Sequence, residues 1–221
     1  MLQALQDALA YASTHLDELR QALVEHLLLV GVALAIGILL CVPLGIWTSR
    51  EQTRVPGRAR TAALAIMNTI NGLRVVPSLA ILFLAIPYFG LTFASAALAL
   101  TILALPPILI NTDAAYRTLD PAVRESATGM GMTARQVLWR VETPLALPVI
   151  VAGIRTATTE VIASATLAAF IGSGGLGLYV VRGFAMFDIT ILLVGAIPVA
   201  LLALLAEILL GGLQRALQPP D

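Results

Sequence analysis

The chain has 221 residues, 59% of them hydrophobic and 12% charged, with zero formal net charge and a mean hydropathy of +0.93. That composition excludes an ordinary soluble domain, and a neutral chain offers no basic field for nucleic acid. All 13 basic residues are Arg. A nucleotide-binding G-x-x-x-x-G-K-[ST] loop needs its lysine, so this chain cannot carry one. The single Cys41 leaves no disulfide framework or cysteine metal site and reads as a small buried residue.

Residues 1–26 space Leu2, Leu5, Leu9, Leu16, Leu19 and Leu23 among polar residues, which predicts an amphipathic helix on or near a membrane. With Asp7, Asp17, Glu18 and Glu25 and no basic region before an apolar stretch, the segment does not read as a signal peptide. The segment 27–215 follows as a membrane domain, because its apolar runs match the roughly 20 helical residues that a hydrocarbon core about 30 Å thick requires. Leu27 to Trp47 is the first span, and the next loop supplies Arg50, Arg54, Arg58 and Arg60 against one Glu51, which predicts a cytoplasmic location. Thr61 to Ile86, interrupted by Arg74, makes a tilted or broken second span, and Thr92 to Ile110 makes the third. Residues 113–144 form the one long polar segment, with Arg117, Arg124, Arg135 and Arg140, again cytoplasmic. Leu145 to Ile171 is the fourth span. The glycines Gly172, Gly174, Gly175 and Gly177 and the stretch to Asp188 fall outside, and Ile189 to Leu213 is the fifth span, leaving a cytoplasmic tail at 216–221. Five crossings put the N-terminus outside and the C-terminus in the cytoplasm. Six crossings remain the alternative, if the N-terminal helix or Val161 to Val181 crosses separately.

The segment 113–144 contains Glu125-Ser-Ala-Thr-Gly-Met-Gly131, nine residues, then Val141-Glu-Thr-Pro144. Asp120-Pro121 reads as a helix N-cap with proline at the first position, and Glu125 falls in the early turns, where the helix dipole favours a carboxylate. Gly129 and Gly131 allow a sharp turn, and Pro144 starts the next helix. An ordinary surface loop containing a helix would carry the same caps. The pattern resembles the EAA signature of ABC importer permeases, which is E-A-A, three residues, G, nine residues, I-x-L-P. Glu125, Ala127, Gly131 and Pro144 match, Val141 stands for the Ile, and Ser126 and Thr143 depart. Further stretches between about residues 25 and 215, among them Leu105-Pro-Pro-Ile-Leu-Ile-Asn-Thr112 and Ala165 to Gly177, resemble permeases for glycine betaine, carnitine and choline.

The resemblance implies an all-α membrane protein with the ABC type I importer permease fold. It also implies a coupling helix that docks on a separate ATPase subunit, which binds the ATP and Mg. The further partners it implies are a second permease copy or paralogue and an extracytoplasmic solute-binding protein. The setting is the inner (plasma) membrane, the chain itself is no enzyme and carries no cofactor, and the solute is a small osmoprotectant or a related zwitterion. Those permeases carry an amide and then Thr before the proline, where this chain has Arg74-Val-Val-Pro77.

Polar groups in lipid must face partners or a cavity. Asn68, Asn71, Arg74, Ser78, Asn111 and Glu160 are therefore candidates for lining a path, Glu160 foremost because an ionisable residue within a span is functional by default. Pro77 joins them and is also a hinge candidate, with a plain proline kink as the alternative. Thr69, Thr158, Thr159, Ser164 and Thr166 read more simply as helix packing. An Arg in mid-span costs about 3 kcal/mol or more. Arg74 therefore faces the path, pairs with a carboxylate such as Glu160, or lies nearer an interface. Gly172, Gly174, Gly175 and Gly177 are hinge candidates, with a plain turn as the alternative. His15 and His26 are too isolated for a metal site. A different class, an ion-coupled secondary transporter using Glu160, Asp113 and Arg74, leaves the Glu125 to Pro144 pattern unexplained.

Overall fold

The computed structural model describes residues 2–52 and 57–218, so Arg54 of the first Arg-rich loop and the last residues of the tail lie outside the described residues. Every regular element among the described residues is helical. Helix α1 (Leu2–Thr14) and helix α2 (Leu16–Gln52) are separated only by His15. Ser13 and Thr14 donate their hydroxyls back to the carbonyls of Ala10 and Tyr11 at 2.7 and 2.9 Å. That competing use of the backbone accompanies the end of α1, while the His15 ring stacks on Tyr11 with centroids 4.1 Å apart. The stretch expected as one amphipathic helix is thus divided, and residues 16–26 form the opening turns of α2. At 37 residues α2 is about 56 Å long, more than the hydrocarbon core needs. Asp17 and Glu18 in its first turn and Arg50 in its last complement the helix dipole.

Helices α3 (Arg58–Leu73) and α4 (Ser78–Phe89) flank a break at Arg74 to Pro77. Proline disfavours the helical conformation of the residue before it, which forces the chain out of helix at Val76. Then follow α5 (Phe93–Arg117), α6 (Pro121–Gly129), α7 (Ala134–Val137), a π-helical turn (Leu138–Glu142), α8 (Thr143–Leu167), a 3-10 turn (Ala168–Ile171), α9 (Gly177–Ala185) and α10 (Ile189–Ala216). Among the described residues, four stretches are long and apolar enough to cross a membrane: those containing α2, α5, α8 and α10. Helices α3 and α4 pass the same test as a bent pair. With that pair, bent by 104°, counted as one broken span, these correspond to the five crossings expected from the apolar runs. Sequence reading did not anticipate α9, whose nine residues span about 14 Å and cannot cross alone.

The described chain forms two compact units, and the divisions between them fall inside α2, α5 and α8, near the end of α10, and in the α3/α4 break. One unit holds residues 2–36, 76–104 and 158–206. Its core is aliphatic and closely packed: Leu29, Ala33, Leu82, Ala99, Leu100, Val161 and Ile171 are each 2% exposed or less. Gly195 lets α10 approach the start of α9, because a Cβ there would lie 2.8 Å from the Leu176 carbonyl oxygen.

The other unit holds residues 37–52, 57–75, 105–157 and 207–218. Ala115, Tyr116, Ala146 and Ile150 form its core, with Val42, Ile46, Leu119, Leu138 and Ile154 packed around them. Two glycines set the helix spacing. A Cβ on Gly45 would lie 2.7 Å from Thr112, and one on Gly153 would lie 2.6 Å from the Asn111 side chain. Along α10, Leu201, Leu204, Leu205, Ile208 and Leu209 are all at least half exposed, an apolar stripe suited to lipid rather than water.

Candidate functional site

The polar segment between α5 and α8 folds into a short helix held at both ends. The Asp120 carboxylate accepts the Ala122 N–H at 2.9 Å, and Pro121 occupies the first helical position, where its missing N–H costs nothing. At the other end the Gly131 N–H donates to the Thr128 carbonyl at 2.9 Å, and the Met132 N–H donates to the Ala127 carbonyl at 3.2 Å. This paired arrangement closes a helix through a left-handed residue, and Gly131 supplies it with φ +84. Gly129 is the last residue of α6. Glu125 is its fifth, exposed and past the first turn, so Asp120 rather than Glu125 provides the negative charge at the helix start. Ala127 is buried. Ala122, Val123, Ser126, Ala127, Met130 and Val141 line a shallow, mainly apolar depression beside the helix. Met130 is 72% exposed, and Trp139 lies 59% exposed on the π-helical turn.

The chain then re-enters the membrane domain through a second capped turn. Thr133 and Gln136 cap α7 reciprocally, with the Thr133 N–H donating to Gln136 Oε1 at 2.8 Å. Pro144 has no N–H for the Arg140 carbonyl, and the helix widens just ahead of it. The Thr143 N–H reaches back five residues to the Leu138 carbonyl, which the Thr143 hydroxyl also meets at 2.8 Å. The Thr143 proton is thereby used, so the Tyr116 hydroxyl donates to Thr143 Oγ1 at 2.9 Å.

Glu142, on that wide turn, is the residue that sequence reading missed. Its carboxylate is 4% exposed and carries two cations. Arg50, at the end of α2, reaches Oε2 at 2.7 Å, and the Arg124 Nε of α6 donates to Oε1. The Arg124 Nη2 also donates to the Tyr116 carbonyl at 2.8 Å. One buried carboxylate therefore joins α2, α5 and α6 at the mouth of α8. The available signal was compositional, since Glu142 is an acid in a segment otherwise dominated by Arg117, Arg124, Arg135 and Arg140.

The path candidates divide between the two units. Asn68, Asn71 and Arg74 belong to one unit and are exposed. Spaced three apart, they cover about 120° of the α3 circumference and its C-terminal cap, while Ala63 is fully buried. Asn111 shares that unit, but its amide donates to the Pro107 carbonyl at 2.8 Å and its side chain packs on Gly153, so it serves helix contact. Pro77, Ser78 and Glu160 belong to the other unit. Pro77 precedes the first residue of α4, which is Ser78, and Glu160 is exposed on α8. Asp113 is fully buried, accepts the Thr48 hydroxyl at 2.9 Å and faces the Arg117 Nε at 3.2 Å.

Of the glycines, Gly172, Gly174 and Gly175 all have positive φ. The Gly175 N–H donates to the Glu25 carboxylate of α2 at 2.9 Å, which ties the turn to that helix. A Cβ on Gly177 would collide with the Thr166 backbone. Left-handed conformation and close approach are local reasons for glycine at these positions. Among the described residues no group of three or more His, Cys, Asp or Glu is placed to hold a metal ion.

Residues 41–219 match the family model described as the binding-protein-dependent transport system inner membrane component. The carnitine transport permease protein OpuCB of Listeria monocytogenes is 42% identical over 195 residues, covering 88% of this chain and 86% of that one. The choline transport system permease protein OpuBB of Bacillus subtilis is 38% identical, covering 95% and 93%. The osmoprotectant import permease protein OsmW of Salmonella typhimurium is 37% identical, covering 96% and 98%. Among solved structures, a chain of the MetNI methionine ABC transporter in an inward-facing conformation superposes with a TM-score of 0.78 at 22% identity, covering 93% of this chain and 99% of that one. At that identity the likeness is one of fold, and it matches the architecture built above. A helical membrane domain with a capped polar helix between its spans, matched over most of its length to permease subunits, belongs to the family of binding-protein-dependent transport system inner membrane components.

Proposed function

We propose that this chain forms half of the translocation path of an ABC importer for small quaternary-ammonium osmoprotectants of the glycine betaine, carnitine and choline kind. The relatives named for carnitine, choline and osmoprotectant transport support that solute class. The observation that carries the transport reading is α6. It is a nine-residue helix capped at both ends, with Glu125 and Met130 exposed and an apolar depression alongside. A separate ATPase subunit, holding ATP and Mg, docks on this surface, and its closure moves α6. Glu125, Ala127, Gly129, Gly131, Val141 and Pro144 shape the dock or its exits. A second permease copy or paralogue completes the path, and an extracytoplasmic binding protein delivers the solute.

Within the path, the exposed stripe of Asn68, Asn71 and Arg74 meets the solute or the second permease, because lipid does not accommodate two amides and a guanidinium. Glu160 and Ser78 are assigned to the path on the same ground, Pro77 because it precedes α4 at the break beside Ser78, and the glycines from Gly172 to Gly177 to the outer turn. The chain lies in the inner membrane with its N-terminus outside and its C-terminus in the cytoplasm. The test is reconstitution: liposomes holding this permease, its ATPase and a loaded binding protein take up glycine betaine or carnitine only with ATP. Uptake by the chain alone under an ion gradient would replace this reading with a secondary transporter.

A further inference from the structure

We propose that Glu142 is a positioning residue for transport, the rivet through which displacement of α6 is passed to the membrane helices; this rests on the reading of α6 as the ATPase dock. Two backbone exits leave α6. Toward α5 the link is Thr118 to Asp120, and toward the unbroken helical stretch of α7, the π-helical turn and α8 it is Met130 to Thr133. Links of that kind bend more readily than they push. The side-chain route is shorter and stiffer. Arg124 projects from the middle of α6 and spends its guanidinium on two acceptors, the Glu142 carboxylate and the Tyr116 carbonyl of α5. Glu142 stands at the entrance to α8 and holds Arg50 of α2 through its other oxygen.

The burial of the carboxylate gives the rivet its strength. Glu142 is 4% exposed while Arg50 and Arg124 are 38% and 35% exposed. The cations can be rehydrated when the contact opens, but the carboxylate cannot, so separating it from either arginine is costly. The π-helical turn sets the direction. It places Glu142 just before Pro144, the second residue of α8, and its geometry is held by Thr143 and the Tyr116 hydroxyl. A movement of α6 therefore reaches α2, α5 and α8 together. Of the other described ion pairs in this unit, Arg117 with Asp113 lies within α5 and Arg155 with Glu207 joins α8 to α10, and neither touches α6.

The experiment measures solute taken up per ATP hydrolysed in liposomes containing permease, ATPase and loaded binding protein. Glu142→Gln keeps the shape and one acceptor but removes the charge. The expected result is normal co-purification of the ATPase and retained ATP hydrolysis, with uptake per ATP about tenfold lower, in keeping with loss of charge-assisted bonds. Arg124→Gln lowers the same ratio while leaving Glu142 its pairing with Arg50, and it is the variant to read if Glu142→Gln does not assemble. A residue that served only stability would reduce the amount of complex and leave the ratio per complex unchanged. An unchanged ratio in the variant read, or loss of ATPase binding in Glu142→Gln, overturns the proposal. Failure of the unaltered permease to show ATP-dependent uptake instead overturns the assignment of α6 as a dock, which separates the two readings.

Discussion

Arg74 is the one ionised side chain of the exposed stripe proposed to line the path. It caps α3 at the point where the helix breaks, with Asn71 and Asn68 one and two turns behind it on the same exposed face. A guanidinium offers paired N–H donors that match a carboxylate and repel a quaternary ammonium. Glycine betaine and carnitine carry both groups, whereas choline has the ammonium alone. If this stripe lines the path, Arg74→Gln changes the balance between these solutes rather than abolishing transport. Betaine or carnitine uptake falls about tenfold, the scale of one charge-assisted contact of about 1.5 kcal/mol, while choline uptake holds or rises. Competition between labelled betaine and choline in cells expressing the variant measures that balance. An unaltered ratio removes Arg74 from the path and leaves the interface with the second permease as its place.

At the scale of elements, the caps at Asp120 and Gly131 satisfy the ends of α6 locally, and its tie to the membrane helices runs through Arg124, which lies before the segment Glu125 to Gly131. Deleting Glu125 to Gly131 should therefore abolish co-purification of the ATPase while the protein still inserts, as read by alkaline extraction of membranes. Normal co-purification would place the dock elsewhere. This element was largely legible in the sequence, because Asp120-Pro121, the glycines and Pro144 are local signals whose physics acts within a few residues. The spans were legible for a similar reason, since lipid demands long uncharged runs such as Leu27 to Trp47. What stayed hidden depends on distance or on competition. Glu142 meets Arg50, 92 positions away, and no periodicity relates them. The division of α1 from α2 at His15 turns on hydroxyls folding back onto carbonyls, a choice that leucine spacing does not record. Helix α9 lies in an apolar run that reads equally well as the end of a span.

For the whole molecule, the number of crossings fixes which ends share a side. Counted with the bent α3 and α4 pair as one crossing, α2, α5, α8 and α10 bring the total to five, which predicts termini on opposite sides. The arginines supply the direction: Arg50, Arg54, Arg58 and Arg60 flank the first loop, and Arg117, Arg124, Arg135 and Arg140 the second. If the basic loops are retained in the cytoplasm, as the positive-inside rule predicts, α1 is expected outside. Because Cys41 is the chain's only cysteine and is buried, a Cys41→Ala background allows single reporters to be read cleanly. Asp7→Cys on α1 should react in intact cells with a maleimide that cannot cross membranes. Arg135→Cys on α7 and Gln218→Cys beyond α10 should react only after permeabilisation. All three positions are exposed in the folded chain, so a silent reporter reports the membrane rather than burial. Labelling of Asp7→Cys and Gln218→Cys from the same side would require an even number of crossings. The bent α3 and α4 pair would then be the first element to reassign, because it is the one crossing made of two helices that are each too short alone.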